Sequence, residues 1–149
     1  MSSIALSLSV PAESRAVSRG RFALLGLATV VAAVVANALF YFIGGTLVAY
    51  NSEFLPLANV SGAIIMTVFP ATVAVLLYAG LSRFTRRPAR IFTITSAVVF
   101  VVTLIPVFTY IPTVPGSTDA QTAILVVMHV IAASVIVRML TSSSHSQAR

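Results

Sequence analysis

Four stretches of this sequence, at about residues 22–50, 58–81, 91–111 and 120–140, each stay apolar for the roughly 20 residues that a helix needs to cross a bilayer core. No water reaches that core, so a spanning segment must satisfy its own backbone hydrogen bonds. A helix does this alone. The predicted fold is therefore all-α, an integral membrane bundle of four transmembrane helices. Composition agrees: 58% of the residues are hydrophobic and 8% are charged, with a mean hydropathy of +1.04. The absence of cysteine excludes disulfide frameworks, thiolate metal sites and dithiol redox chemistry.

The chain divides into a leader over residues 1–20, read as disordered and cytoplasmic, a transmembrane domain over residues 21–140, and a Ser-rich tail over residues 141–149. All nine basic residues are arginines. Arg15, Arg19 and Arg21 precede span one, Arg83, Arg86, Arg87 and Arg90 fill the link between spans two and three, and Arg138 and Arg149 close the chain. The other two links carry Glu53 and Asp119 and no arginine. Four spans then put every arginine on one side, which predicts that both termini are cytoplasmic in the cell inner (plasma) membrane. The net charge of +6 is thereby explained by topology, and no nucleic-acid partner is expected. The lipid bilayer is the expected partner, with Arg83, Arg86, Arg87 and Arg90 as candidate contacts to anionic headgroups. A rival reading treats span one as a secretory signal cleaved after Ala38, at Ala36-Asn37-Ala38. Against it, the apolar run continues well beyond that point.

Polar residues inside the spans are the candidate site. Ala28, Ala32 and Ala36, extended to Gly44, form a stripe of small residues that suits close helix packing or a homodimer contact. Asn37 beside it needs partners in hydrocarbon, as interhelical glue or as a ligand contact. Thr67 and Pro70 share a face in span two. Pro70 and Pro106 leave the carbonyls of Met66 and Val102 without their usual donors, a feature of packing bends and of helix-lined cavities.

His129 is the one ionisable ring inside a span. Nine residues of helix from Arg138 place it about 13 Å deep. It shares a helix face with Thr122, Leu125, Ala132, Ala133 and Ile136. A charged imidazole is expensive there, which favours the neutral ring, and Asn37, Thr67 or a proline-freed carbonyl are its expected partners. Its role is either structural or that of a proton or ligand site. His145 in the tail is read as solvated, and Asn59, in a glycosylation-like Asn-Val-Ser triplet, abuts span two too closely to be modified.

The segments TVFPATVAVLLYAGLSRFTRRPARIFTITSAVVFVVTLIPVF and AILVVMHVIAASVIV resemble a family of small four-span bacterial membrane proteins known only as a domain of unknown function. The resemblance is carried by Ala36-Asn37, by Thr67 and Pro70, by Pro88, Arg90 and Phe92 after the arginine-rich link, and by Met128-His129. It covers most of the chain from Phe22 to Leu140. Arg138 departs from it, since that position tends to be apolar or proline in the family. The resemblance implies the fold and topology and no mechanism.

The function classes narrow accordingly. No nucleophile with a base and an acid, no metal-ligand cluster and no cofactor motif is present, so the chain is expected to be no enzyme and to hold no cofactor or metal. No carboxylate lies inside a span to drive coupled transport. The leading expectation is a non-enzymatic multi-pass protein that packs or associates with itself, as a homo-oligomer, or with another membrane component. The alternative is a small transporter or channel with a polar intramembrane site around His129 and Asn37.

Overall fold

The structure, a computed structural model, describes residues 12–146 and the side chains of residues 20–142. Five helices follow in order: α1 over Ala12–Leu47, the short α2 over Leu55–Ala58, α3 over Val60–Phe84, α4 over Pro88–Thr109 and α5 over Asp119–Ser146, with a 3-10 turn at Ile111–Thr113 before α5. Among the described residues there are four helices long and apolar enough to cross a membrane. They are α1, α3, α4 and α5, the four spans of the sequence.

Local chemistry sets the helix ends. α1 stops at Leu47, short of Tyr50, after the Gly44-Gly45 pair has weakened the last turn and the N–H of Val48 has closed it on the carbonyl of Gly44 (2.8 Å). The expected start of span two at Ala58 belongs to a separate helix. Asn59, extended at φ −153° and ψ 156°, breaks the chain direction and caps α3, its side-chain oxygen accepting from the N–H of Gly62 (3.0 Å) and the hydroxyl of Ser61. Thr85 ends α3 by donating both its N–H (2.9 Å) and its hydroxyl (2.8 Å) to the carbonyl of Leu81, and Pro88 opens α4, three residues earlier than the apolar run. Thr118 starts α5 by accepting from the N–H of Gln121 (3.2 Å). Both outer helices outrun their apolar stretches, α1 from Ala12 and α5 to Ser146. Residues 1–11, and the side chains of Arg15, Arg19, His145 and Arg149, lie outside the described residues. α1 also runs unbroken through Ala36-Asn37-Ala38.

Short links make successive spans antiparallel neighbours. α1 has the two broadest interfaces, with α3 and with α5, and α4 closes the ring against both of them. The interior holds two apolar clusters, one towards each end. Ala33, Ala71, Tyr78, Phe92, Ile136 and Leu140 form the first, at the arginine-bearing end. Phe54, Leu57, Ala63, Ile124 and Met128 form the second, at the end where Glu53 and Asp119 lie. The outward surface carries large apolar side chains such as Leu39, Phe69, Val101 and Phe108, an arrangement suited to hydrocarbon and costly in water.

Small residues do let the backbones approach, along a ridge that differs in part from the expected one. Ala28 is exposed, while Ala32 and Ala36 are half-buried flanks. Of the expected stripe Gly44 alone meets neighbours closely, and it does so on a ridge with Gly26 and Ala33. A Cβ at Gly26 would lie 2.6 Å from Val75 Cγ1 of α3, and one at Gly44 would lie 2.5 Å from the Tyr50 hydroxyl and 3.0 Å from Ile124 Cδ1 of α5.

Candidate functional site

Asn37 and Thr67 face each other across α1 and α3. Both are buried, at 6% and 3% exposure. Asn37 Nδ2 donates to Thr67 Oγ1 (2.8 Å), and Thr67 Oγ1 donates its own proton to the carbonyl of Ala63 (2.8 Å). Because the single hydroxyl proton is already committed, Thr67 can only accept from Asn37, which fixes the orientation of the amide. Asn37 Oδ1 is thereby left buried with no hydrogen-bond partner.

The pair lies where the two apolar clusters meet. On α3, Thr67 has Ala63 of one cluster a turn to one side and Ala71 of the other a turn to the other side. On α1, Asn37 lies between Ala33 and Tyr41 in the same way. One polar contact is therefore held in a buried layer between two apolar ones.

His129 is separate from this pair. It is half-buried, and its Nδ1 hydrogen-bonds the carbonyl of Leu125 in its own helix (2.8 Å). It pairs with neither Asn37, Thr67 nor a proline-freed carbonyl. Ile124 packs against Gly44 of α1. Five residues further along an α-helix turn His129 about 140° away from that direction.

A carbonyl can only accept, so Nδ1 carries the proton and the Nε2 of a neutral ring is an acceptor. We predict that nitrogen NMR of the protein in lipid shows a protonated Nδ1 and a pyridine-like Nε2 at His129. The opposite tautomer would mean that the bond to Leu125 is not kept.

Pro70 and Pro106 do not join a polar site either. Both α3 and α4 continue through them, both rings are on the exposed surface, and among the described residues no side-chain donor reaches the carbonyl of Met66 or Val102. Lipid-facing proline in a spanning helix introduces a bend at little packing cost. Of the five candidate intramembrane residues, the structure thus brings together two. Arg83, Arg86, Arg87 and Arg90 are all exposed at one end of the bundle.

The opposite end holds polar chemistry that was not singled out from the sequence. The Tyr50 hydroxyl donates to the carbonyl of Tyr41 (2.8 Å), and the Tyr41 hydroxyl donates to the carbonyl of Leu57 (3.1 Å). The two rings lie 4.9 Å apart. Gln121, 1% exposed, donates from Nε2 to the carbonyl of Ala49 (3.3 Å) and keeps an unpartnered, buried Oε1. Gly116, at φ 72°, presses on Asn51, where a Cβ would lie 2.8 Å from Nδ2, so the two links at this end are packed together.

Burial, and secondarily the neighbouring Tyr41, raise the Tyr50 phenol above its ordinary value. A group whose folded value is raised contributes stability that is present below its unfolded value, about 10, and is lost as pH rises through the folded one. Ionisation would also remove the proton donated to Tyr41. Thermal stability should therefore fall in strongly alkaline buffer, and Tyr50→Phe, at a cost of about 1 kcal/mol near neutrality, should flatten that fall. An equal alkaline loss in both proteins would locate the effect elsewhere.

Fold and interior together define a four-span α-helical membrane protein with a buried polar contact between two apolar clusters. The chain belongs to DUF6069, a family of unknown function, which matches residues 17–146. No curated protein and no solved structure matches it.

Proposed function

We propose that this chain is a non-enzymatic multi-pass protein of the cell inner membrane that works by associating with itself or with another membrane component, with its arginine-bearing end and both termini in the cytoplasm. The observation that carries the reading is the closure of the interior at both ends. Phe54 and Leu57 are fully buried beneath one pair of links, and Phe92 and Leu140 are fully buried towards the other end. The polar groups between them are engaged largely with their own backbone or with one another, as suits packing. Crosslinking in native membranes, followed by native mass spectrometry, tests it: the expected product is a defined complex, and a lone monomer at every crosslinker concentration would overturn the reading.

A second reading, a small transporter or channel, is favoured by one observation, the unpartnered Asn37 Oδ1. An acceptor in a buried layer is where a hydrogen-bond donor or a cation would be held. Proton-dependent flux into proteoliposomes, lost in Asn37→Leu and in His129→Ala, would establish it over association. Flux indistinguishable from empty vesicles would remove it.

A further inference from the structure

Five arginines stand at one end of the bundle, in four parts of the chain. Arg83 stands in the last turn of α3, Arg86 and Arg87 in the link, and Arg90 in the first turn of α4. Arg21 lies at the same end on α1, next to Phe22, which stacks on Tyr78 of α3 with centroids 6.4 Å apart. All five arginines are exposed. Residues 20–142 contain only two carboxylates, Glu53 and Asp119, and both lie at the far end of the bundle. No acidic side chain among the described residues can therefore neutralise this rim, and its guanidiniums repel one another.

Two further features suit it to a lipid surface. The link is only three residues long and is pinned at both ends, by Thr85 on the carbonyl of Leu81 and by Pro88 at the start of α4, so Arg86 and Arg87 are held at the ends of the spans, where headgroups lie. Phe84 is 82% exposed beside them, with the Arg83 guanidinium carbon 5.9 Å from its ring centroid. An aromatic ring at that height enters the boundary between headgroup and acyl chain, while the guanidinium over it keeps its charge turned to phosphate.

We propose that this rim, Arg21, Arg83, Arg86, Arg87 and Arg90 with Phe84 as its apolar anchor, binds the headgroups of anionic phospholipids. The bidentate geometry of guanidinium fits phosphodiester oxygens, and the concentrated positive charge selects lipids with net negative charge over zwitterionic ones.

The test is native mass spectrometry of the full chain released from membranes of equal phosphatidylglycerol and phosphatidylcholine. The expected result is several-fold enrichment of phosphatidylglycerol among retained lipids, declining as salt is raised. Arg86→Gln with Arg87→Gln should lower the enrichment, by about fivefold for the first charge removed. Since arginines also set topology, a single introduced cysteine, clean in a chain that has none, confirms that the variant keeps its orientation. If the double variant misinserts, the salt dependence of the unaltered protein decides. Equal retention of the two lipids, enrichment unaffected by salt, or equal stabilisation by inorganic phosphate in place of lipid would each overturn the proposal.

Discussion

Phe54→Ala lowers the stability of the bundle by about 3–5 kcal/mol, the range expected when a fully buried phenyl ring is removed and the cavity cannot collapse. Phe54 lies outside every span and is nevertheless fully buried, with Leu57, Ala63, Ile124 and Met128 around it. The link that carries it is fastened at several points. The Tyr41 hydroxyl holds the carbonyl of Leu57, the N–H of Leu57 bonds the carbonyl of Phe54 (3.0 Å), and the N–H of Glu53 bonds Asn51 Oδ1 (2.9 Å). Collapse is therefore restricted and the cavity term persists. Urea unfolding in bicelles reads the global loss, and hydrogen exchange at residues 54–58 reads local opening. A loss below about 1 kcal/mol with protection unchanged would show that this link does not hold the bundle closed.

That result bears directly on function, since a closed end is what separates an associating bundle from a conduit. If Phe54→Ala opens the end locally while the four spans stay packed, solutes should reach the buried layer at Asn37. Flux appearing only in this variant would identify the ring as a barrier in a protein that does not itself conduct.

The spans were legible because 20 apolar residues in sequence admit few other structures, and the arginine distribution follows from the same reading. The ends were less legible. Tyr50 continues the apolar run but folds back to bond Tyr41, and Leu55–Ala58 is helical yet turned aside by Asn59, neither of which a hydropathy pattern contains. On α1 small residues occupy two adjacent ridges that share Gly44, so spacing alone could not decide between Ala28-Ala32-Ala36 and Gly26-Ala33 as its continuation. The partners Val75 and Ile124 decide it.

Asn37 and Thr67 were legible as residues that require partners, and they proved to be each other's. His129 was not, because a helix always offers its own carbonyl four residues back, a partner that competes with any tertiary one. Phe54 and Leu57 carried a readable signal that topology obscured: a link with Phe54-Leu55-Pro56-Leu57 in it is too apolar to be only a solvated connection.

The buried pair yields the second large effect, through its asymmetry. Thr67→Val should cost about 2–3 kcal/mol, since it leaves the donors of Asn37 without an acceptor in a layer where Oδ1 already has no donor. Asn37→Leu should cost less than Thr67→Val, because Thr67 keeps its bond to Ala63 and the new side chain has a similar volume. The double variant should return to within about 1 kcal/mol of the unaltered protein, giving a coupling of at least about 1 kcal/mol, which is large for a hydrogen bond between spanning helices. Additive losses would mean that the bond contributes nothing between the helices.

The near-neutral double variant also separates structure from function, because it removes the polar layer without removing the fold. An associating protein should keep its crosslinked complex in that background, since the outward faces are unchanged. A transporter should lose its flux, since the unpartnered acceptor Asn37 Oδ1 is gone. If the unaltered protein is equally silent in flux, a double variant that stays stable and complexed would show that Asn37 and Thr67 serve the packing of α1 against α3 alone.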